Sequence, residues 1–251
     1  TLKNRNCFVS INTNGSVLND RIQGILKRLR LRSIEISIYG FSEDSYKKTT
    51  GHMSFEAVMR NVEKCAAGKL PIRLKYTLQK GNINDAWAFK EYCERKKMRY
   101  LITQGALVPD VCGDSAESLM LSPDEVEKLC VEKLIDPSPN TCGGKCRPAT
   151  SRIAIDSSGN VFPCETLRIN LGNIFEGDPE YLIGANNRRL ALLENVPSAE
   201  SQECSSCKSK QFCSVQACPA ARYLATGSLG GVYRPACVQA GIFQKVNGKI
   251  Q

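Results

Sequence analysis

Cysteine is the residue type in this chain most able to do chemistry: there are 13, against a single histidine, His52, in 251 residues. Thiolates ligate zinc and iron–sulfur clusters. With only one imidazole available, any metal here is expected to be held almost wholly by sulfur. A disulfide framework fits poorly, because the count is odd and no secretory leader is present. The chain opens on Thr1-Leu2-Lys3-Asn4, without a Met or an apolar leader, and is expected to be the edge of a fragment. The expected location is the cytoplasm, where thiols stay reduced.

The cysteines divide into two populations. Cys7, Cys65, Cys93, Cys112 and Cys130 are scattered over residues 1–137 and read as small buried hydrophobes. Cys142, Cys146, Cys164, Cys204, Cys207, Cys213, Cys218 and Cys237 crowd residues 138–251, enough for two sets of four. Asp136-Pro137-Ser138-Pro139-Asn140 lies between the groups and reads as a linker. Two domains are therefore expected, 1–137 and 138–251. Cys204-Ser205-Ser206-Cys207 puts two thiols where both can reach one metal centre. A Cys₄ zinc site and an iron–sulfur cluster both use four thiolates, and the residues alone leave the two open.

The first half must supply a scaffold. Ile34, Ile36 and Ile38 alternate with Glu35, Ser37 and Tyr39, and Ile72, Leu74, Tyr76 and Leu78 alternate with Arg73, Lys75, Thr77 and Gln79. Further strands are expected near residues 7 and 99. Helical spacing fills the intervals: Ile22, Ile25, Leu26 and Leu29 after a cap at Asp20, Phe55, Val58, Met59 and Val62 after Ser54, and a helix from about Asp85 to Lys97. Ser122-Pro123-Asp124-Glu125 spells a capping box with Pro at the first helical position. Strands alternating with helices imply βα units around a parallel sheet, an α/β fold. Parallel strands buried on both faces read as continuous apolar runs. The polar second face here suggests the wall of a wet, ligand-holding bore. In the second half, residues 152–156 and 161–162 flank Ser157-Ser158-Gly159-Asn160, a hairpin that would deliver Cys164.

The spacing of the second half resembles the SPASM domain, a C-terminal extension of radical S-adenosylmethionine (radical SAM) enzymes. The matching residues are Cys146, Gly159-x₄-Cys164, Cys204-x₂-Cys207-x₅-Cys213-x₄-Cys218 and Cys237. The family pattern has three residues, not four, between the last two cysteines of that run. Thr13-Asn14-Gly15, Ile36-Ser37-Ile38-Tyr39-Gly40 and Tyr46-x₃-Thr50-Gly51 are similar to the middle of a radical SAM partial (β/α) barrel. The family's C-x₃-C-x₂-C motif and its Gly-Gly-Glu motif do not occur in these 251 residues. The chain is thus expected to be an N-terminally truncated enzyme, inactive as a fragment.

The resemblance implies two auxiliary [4Fe–4S] clusters, one on Cys142, Cys146, Cys164 and Cys218, the other on Cys204, Cys207, Cys213 and Cys237. Complete thiolate ligation would suit electron transfer. It further implies that Ser37 contacts the ribose of S-adenosylmethionine and that Glu165 is a base toward the substrate. The full-length protein would carry a third [4Fe–4S] cluster, generate a 5′-deoxyadenosyl radical, and abstract hydrogen from a peptide or protein side chain. Its electron donor would be a flavodoxin or ferredoxin. The reading from another class is a Cys₄ zinc-binding interaction module without catalysis.

The formal net charge is +9. Two oxidised clusters on eight thiolates would reduce it to roughly +5. No basic run is interleaved with stacking aromatics, so nucleic acid is not an expected partner. No apolar run reaches membrane-spanning length, so neither is a bilayer. Arg28, Arg30 and Arg32 read as the solvated end of a helix.

Overall fold

The computed structural model describes residues 7–51, 54–103, 116–139, 153–183, 187, 202–213 and 218–250. The chain forms two compact units, Thr1–Gly105 and Ala106–Gln251.

The first unit is a repeated βα array. Strands β1 (Ser10–Thr13), β2 (Ser33–Ile38), β3 (Ile72–Thr77) and β4 (Tyr100–Thr103) form one parallel sheet in sequential order. Helices α1 (Asp20–Leu29), α2 (Glu43–Thr50), α3 (Phe55–Ala67) and α4 (Ala86–Arg95) fill the connections. Ile34, Ile36, Ile38, Leu74 and Tyr76 are fully buried on one face of the sheet, while Glu35, Ser37, Arg73 and Lys75 on the other are half-buried. The alternation in sequence is thus a real difference between two faces.

The α1 cap is Asn19, whose side chain accepts from the Ile22 amide at 3.1 Å, and not Asp20. Asp20 sits inside the first turn, where an acid favours the dipole, and pairs with Lys64 at 2.9 Å. The polar helix α2, capped by Ser42, has no apolar stripe to announce it.

The second unit is less regular. α5 (Pro123–Val131) carries the complete capping box: the Ser122 amide donates to Glu125 Oε2 at 2.7 Å and the Glu125 amide to Ser122 Oγ at 3.3 Å. β5 (Ala154–Ile155), β6 (Asn160–Phe162) and β7 (Gly172–Asn173) form an antiparallel sheet. Among the described residues four helices follow: α6 (Pro179–Ile183), α7 (Gln202–Ser205), α8 (Pro219–Thr226) and α9 (Arg234–Ile250). α5 packs against α9, and Glu127 bonds Lys245 at 2.7 Å and Lys249 at 3.4 Å. Helix α5 therefore belongs to the cysteine-rich unit, although it precedes the linker at residues 136–140.

Asn82 stitches β2 to β3 where their chains leave the sheet. Only 2% exposed, it donates to the Tyr39 carbonyl at 3.1 Å and the Thr77 carbonyl at 2.9 Å and accepts from the Gln79 amide at 2.8 Å. Aspartate has the same shape but no donor. We predict that Asn82→Asp and Asn82→Ala each cost about 2–4 kcal/mol, because two carbonyls lose their partner. Urea unfolding of both variants against wild type measures this, and an unchanged midpoint would refute it.

Candidate functional site

In the first unit the chemistry-bearing positions lie on the half-buried sheet face and in the loops after the strands. Ser37 stands opposite Lys75 in the β2–β3 register, and Glu35 opposite Arg73. Glu35 Oε2 meets Lys75 Nζ at 2.6 Å, and Glu35 Oε1 lies 3.9 Å from Arg73. The Lys75 hydrogen bond holds the Glu35 carboxyl below the usual range against a small opposing effect of burial. This face therefore presents an ordered ion cluster beside Ser37.

Two of the three glycines of the barrel-like motifs, Gly15 and Gly40, are required by contact. Gly15 has φ +80°, and a Cβ there would lie 2.9 Å from the Ile36 side chain and 3.1 Å from Val58. A Cβ on Gly40 would lie 2.7 Å from the Tyr46 amide. The loop after β2 is thus pressed onto the start of α2. Asp85 holds it there: one carboxylate oxygen accepts from the Phe41 amide at 2.8 Å, from Ser42 Oγ at 2.9 Å, and from Ser45 Oγ. Tyr46, beneath this loop, is fully buried, and its hydroxyl has no partner among the described residues. Burial pushes its pKa up to about 12. Nothing in the sequence marked Asn82 or Asp85. The available signal was a turn-rich stretch, Lys80-Gly81-Asn82-Ile83-Asn84-Asp85, between a strand and a helix.

In the second unit the hairpin delivers Cys164 as expected. Asp156 closes its turn by accepting from the Ser158 and Asn160 amides, each at 2.9 Å. Cys164 is 6% exposed, and its sulfur accepts from the Leu167 amide at 3.2 Å. Cys218 packs against the same apolar group as Cys164, with Val161, Leu167, Leu171 and Ala220, and together with Cys213 against a second group, Ala221, Tyr233 and Ala236. Cys142 and Cys146 lie outside the described residues. Glu165 is exposed, directly after buried Cys164.

Cys204 is carried by α7, Cys207 follows it, Cys213 ends a short 3₁₀ turn, and Cys237 sits in the first turn of α9. Burial pushes the Cys237 thiol up, the neighbouring Cys213, Cys204 and Cys207 thiols add to this, and Arg234 opposes them. Three cysteines from one segment thus gather on a fourth from another. Of the scattered cysteines, Cys65, Cys93 and Cys130 are buried as expected, Cys7 is exposed and so is not the buried hydrophobe expected of it, and Cys112 lies outside the described residues. Among the described residues no three His, Cys, Asp or Glu side chains converge as a single ion requires. The donor chemistry nonetheless suits iron–sulfur ligation: clustered thiols with a backbone amide already aimed at one sulfur.

No family model matches the chain. A probable GTP 3′,8-cyclase of Saccharolobus solfataricus is 30% identical over 134 residues, 51% of this chain and 42% of that protein. A probable GTP 3′,8-cyclase of Thermococcus kodakarensis is 28% identical over 88 residues, 35% of this chain and 28% of that protein. The match spans less than half of either relative. In structure the chain is similar to anSMEcpe with bound AdoMet, with a TM-score of 0.69 at 16% identity over 97% of this chain and 70% of that one. It has the radical SAM enzyme fold. Streptococcus suis SuiB bound to S-adenosylmethionine aligns over 91% of this chain and 59% of its own, with a TM-score of 0.63 at 13% identity. A further anSMEcpe structure, with AdoMet and the Cp18Cys peptide, has a TM-score of 0.68 at 16% identity over 97% of this chain and 74% of that one. Sequence relatives and structural neighbours together support a radical SAM enzyme.

Within the radical SAM sheet, the Asp85 network makes a pH prediction. Burial alone would raise the Asp85 pKa, but hydrogen bonds from Ser45, the Phe41 amide and Ser42 outweigh it and hold the carboxyl below its usual 3.8. Its stabilising contribution is therefore complete above about pH 4 and is lost as pH falls through the depressed folded value. Asp85→Asn should destabilise the protein at neutral pH and flatten the acid limb of a urea-midpoint profile. Parallel profiles for variant and wild type would contradict it.

Proposed function

We propose that the chain is the barrel and SPASM portion of a radical SAM enzyme that modifies a peptide or protein side chain, with two auxiliary four-iron clusters serving electron transfer. The observation that carries this reading is the sorting of the cysteines. Cys204, Cys207, Cys213 and Cys237 gather in one place, while Cys164 and Cys218 share another apolar group. This division coincides with the interleaved ligand sets of the SPASM pattern, in which Cys142 and Cys146 complete the second set. Cys218 also packs with Cys213 against Ala221, Tyr233 and Ala236, so it lies between the two groups, and its assignment to the set of Cys164 rests on the SPASM pattern. A four-iron core offers one iron per thiolate, so its sulfurs stand further apart than those around one zinc ion, where Zn–S is about 2.3 Å.

S-adenosylmethionine, cleaved reductively, would supply the hydrogen-abstracting radical. The protein's part would be to bind and orient: Ser37, on the half-buried face, is the residue proposed to meet a ribose hydroxyl, and Glu35 holds Lys75 beside it. Glu165 is the residue proposed to take a proton from the substrate. A peptide substrate is supported by the likeness to a structure holding AdoMet and a Cp18Cys peptide. The proposed electron donor is a flavodoxin or ferredoxin.

Two measurements test the reading. Anaerobic reconstitution followed by iron and sulfide assay should give about eight of each per chain; stoichiometric zinc without acid-labile sulfide would overturn it. Cys164→Ala and Cys218→Ala should each remove the same cluster signal from electron paramagnetic resonance (EPR) spectra, and Cys213→Ala the other. Loss of one common signal in Cys213→Ala and Cys218→Ala would show that those two share a cluster.

A further inference from the structure

Helix α9 begins at Arg234, and Cys237 lies three residues on, in the same first turn. The amino end of a helix carries partial positive charge, so a cation at its first position is placed against the dipole. Such a conflict calls for a compensating negative charge. Glu203 provides part of it, with its Oε2 2.9 Å from Arg234 Nη2. Glu203 immediately precedes Cys204 on α7, so this ion pair joins the turn bearing Cys204 to the turn bearing Cys237. A second contact joins the same two segments: Ser209 Oγ, between Cys207 and Cys213, donates to Gln244 Oε1 on α9 at 2.5 Å. The two contacts tie the Cys204–Cys213 segment to α9 at two points.

Glu203 and Arg234 are thus a carboxylate and a guanidinium joining the segment that bears Cys204, Cys207 and Cys213 to the helix that bears Cys237. Adding an electron to a thiolate-ligated cluster makes it more negative. A neighbouring cation stabilises that reduced form and a neighbouring anion destabilises it.

We propose that Arg234 and Glu203 tune the reduction potential of the cluster on Cys204, Cys207, Cys213 and Cys237 in opposite directions, Arg234 raising it and Glu203 lowering it. This rests on the ligand assignment under Proposed function. Both residues are positioning charges, outside the ligand set. Their side chains are 70% and 62% exposed, so salt will screen their effect.

The test is an anaerobic redox titration of the reconstituted 251-residue chain, followed by EPR, with iron content assayed on every sample. Arg234→Gln should shift that cluster's midpoint to lower potential and Glu203→Gln to higher. Arg234→Lys should stay near wild type, and raising the ionic strength should shrink both shifts. The potential of the cluster assigned to Cys164 and Cys218 should move less. A merely structural ion pair predicts otherwise, since both Gln variants break the same contact and would change iron content or potential in the same direction. Shifts of equal sign, or unmoved potentials with full iron content, would overturn the proposal. A wild-type chain that takes up no iron or sulfide would overturn the cluster assignment itself, and the tuning with it.

Discussion

Three hydrogen bonds from one buried side-chain amide govern the carboxyl ends of β2 and β3. Asn82 satisfies the Tyr39 and Thr77 carbonyls and accepts the Gln79 amide, and its own carbonyl accepts the Tyr76 hydroxyl at 2.7 Å. A carbonyl leaving a sheet in an apolar setting has no ladder partner, and leaving it unpaired costs about 1–3 kcal/mol. With those ends fixed, the chain after Tyr39 has one way out, through Gly40, whose missing Cβ lets the loop lie against the Tyr46 amide. Asp85 then fastens that loop from the other side. The half-buried face with Ser37, Lys75 and Glu35 has its geometry because these joints are rigid.

The second unit solves a different problem. Its strands have two or three residues each, so little regular hydrogen bonding organises its middle. Order comes from its ends. The capping box starts α5, α5 packs on α9, and Glu127 holds two lysines of α9. A fixed α9 then presents Cys237 and receives the Cys204–Cys213 segment through Arg234 and Gln244. Bound clusters would add to this frame, since each would cross-link segments far apart in sequence.

The elements with strong periodicity were legible in advance. The isoleucine alternation of β2, the stripe of α3, the capping box at Ser122 and the hairpin before Cys164 are encoded within a few residues of themselves, whereas α1 forms where expected but leaves Ile25 and Leu29 of its stripe exposed. Helix α2 was not foreseen, because its sequence Glu43-Asp44-Ser45-Tyr46-Lys47-Lys48-Thr49-Thr50 carries one buried apolar residue and no stripe. The cap at Asn19 was misplaced by one residue because Asn and Asp are both good caps. Asn82 and Asp85 were missed because polar residues in a turn look alike until their partners, some forty residues earlier in the chain, are known.

What the sequence by itself determined was the inventory: eight thiols at spacings suited to two four-thiol sets, a parallel βα array with one apolar and one polar face, and glycines where no side chain fits. Those features depend on residue chemistry and on separations of a few positions. Only the tertiary structure decided that α5 belongs with the C-terminal helix and that Glu203 lies against Arg234. Such pairings join residues tens to more than a hundred positions apart. They follow from how helices pack and turns close in three dimensions, which local periodicity does not encode.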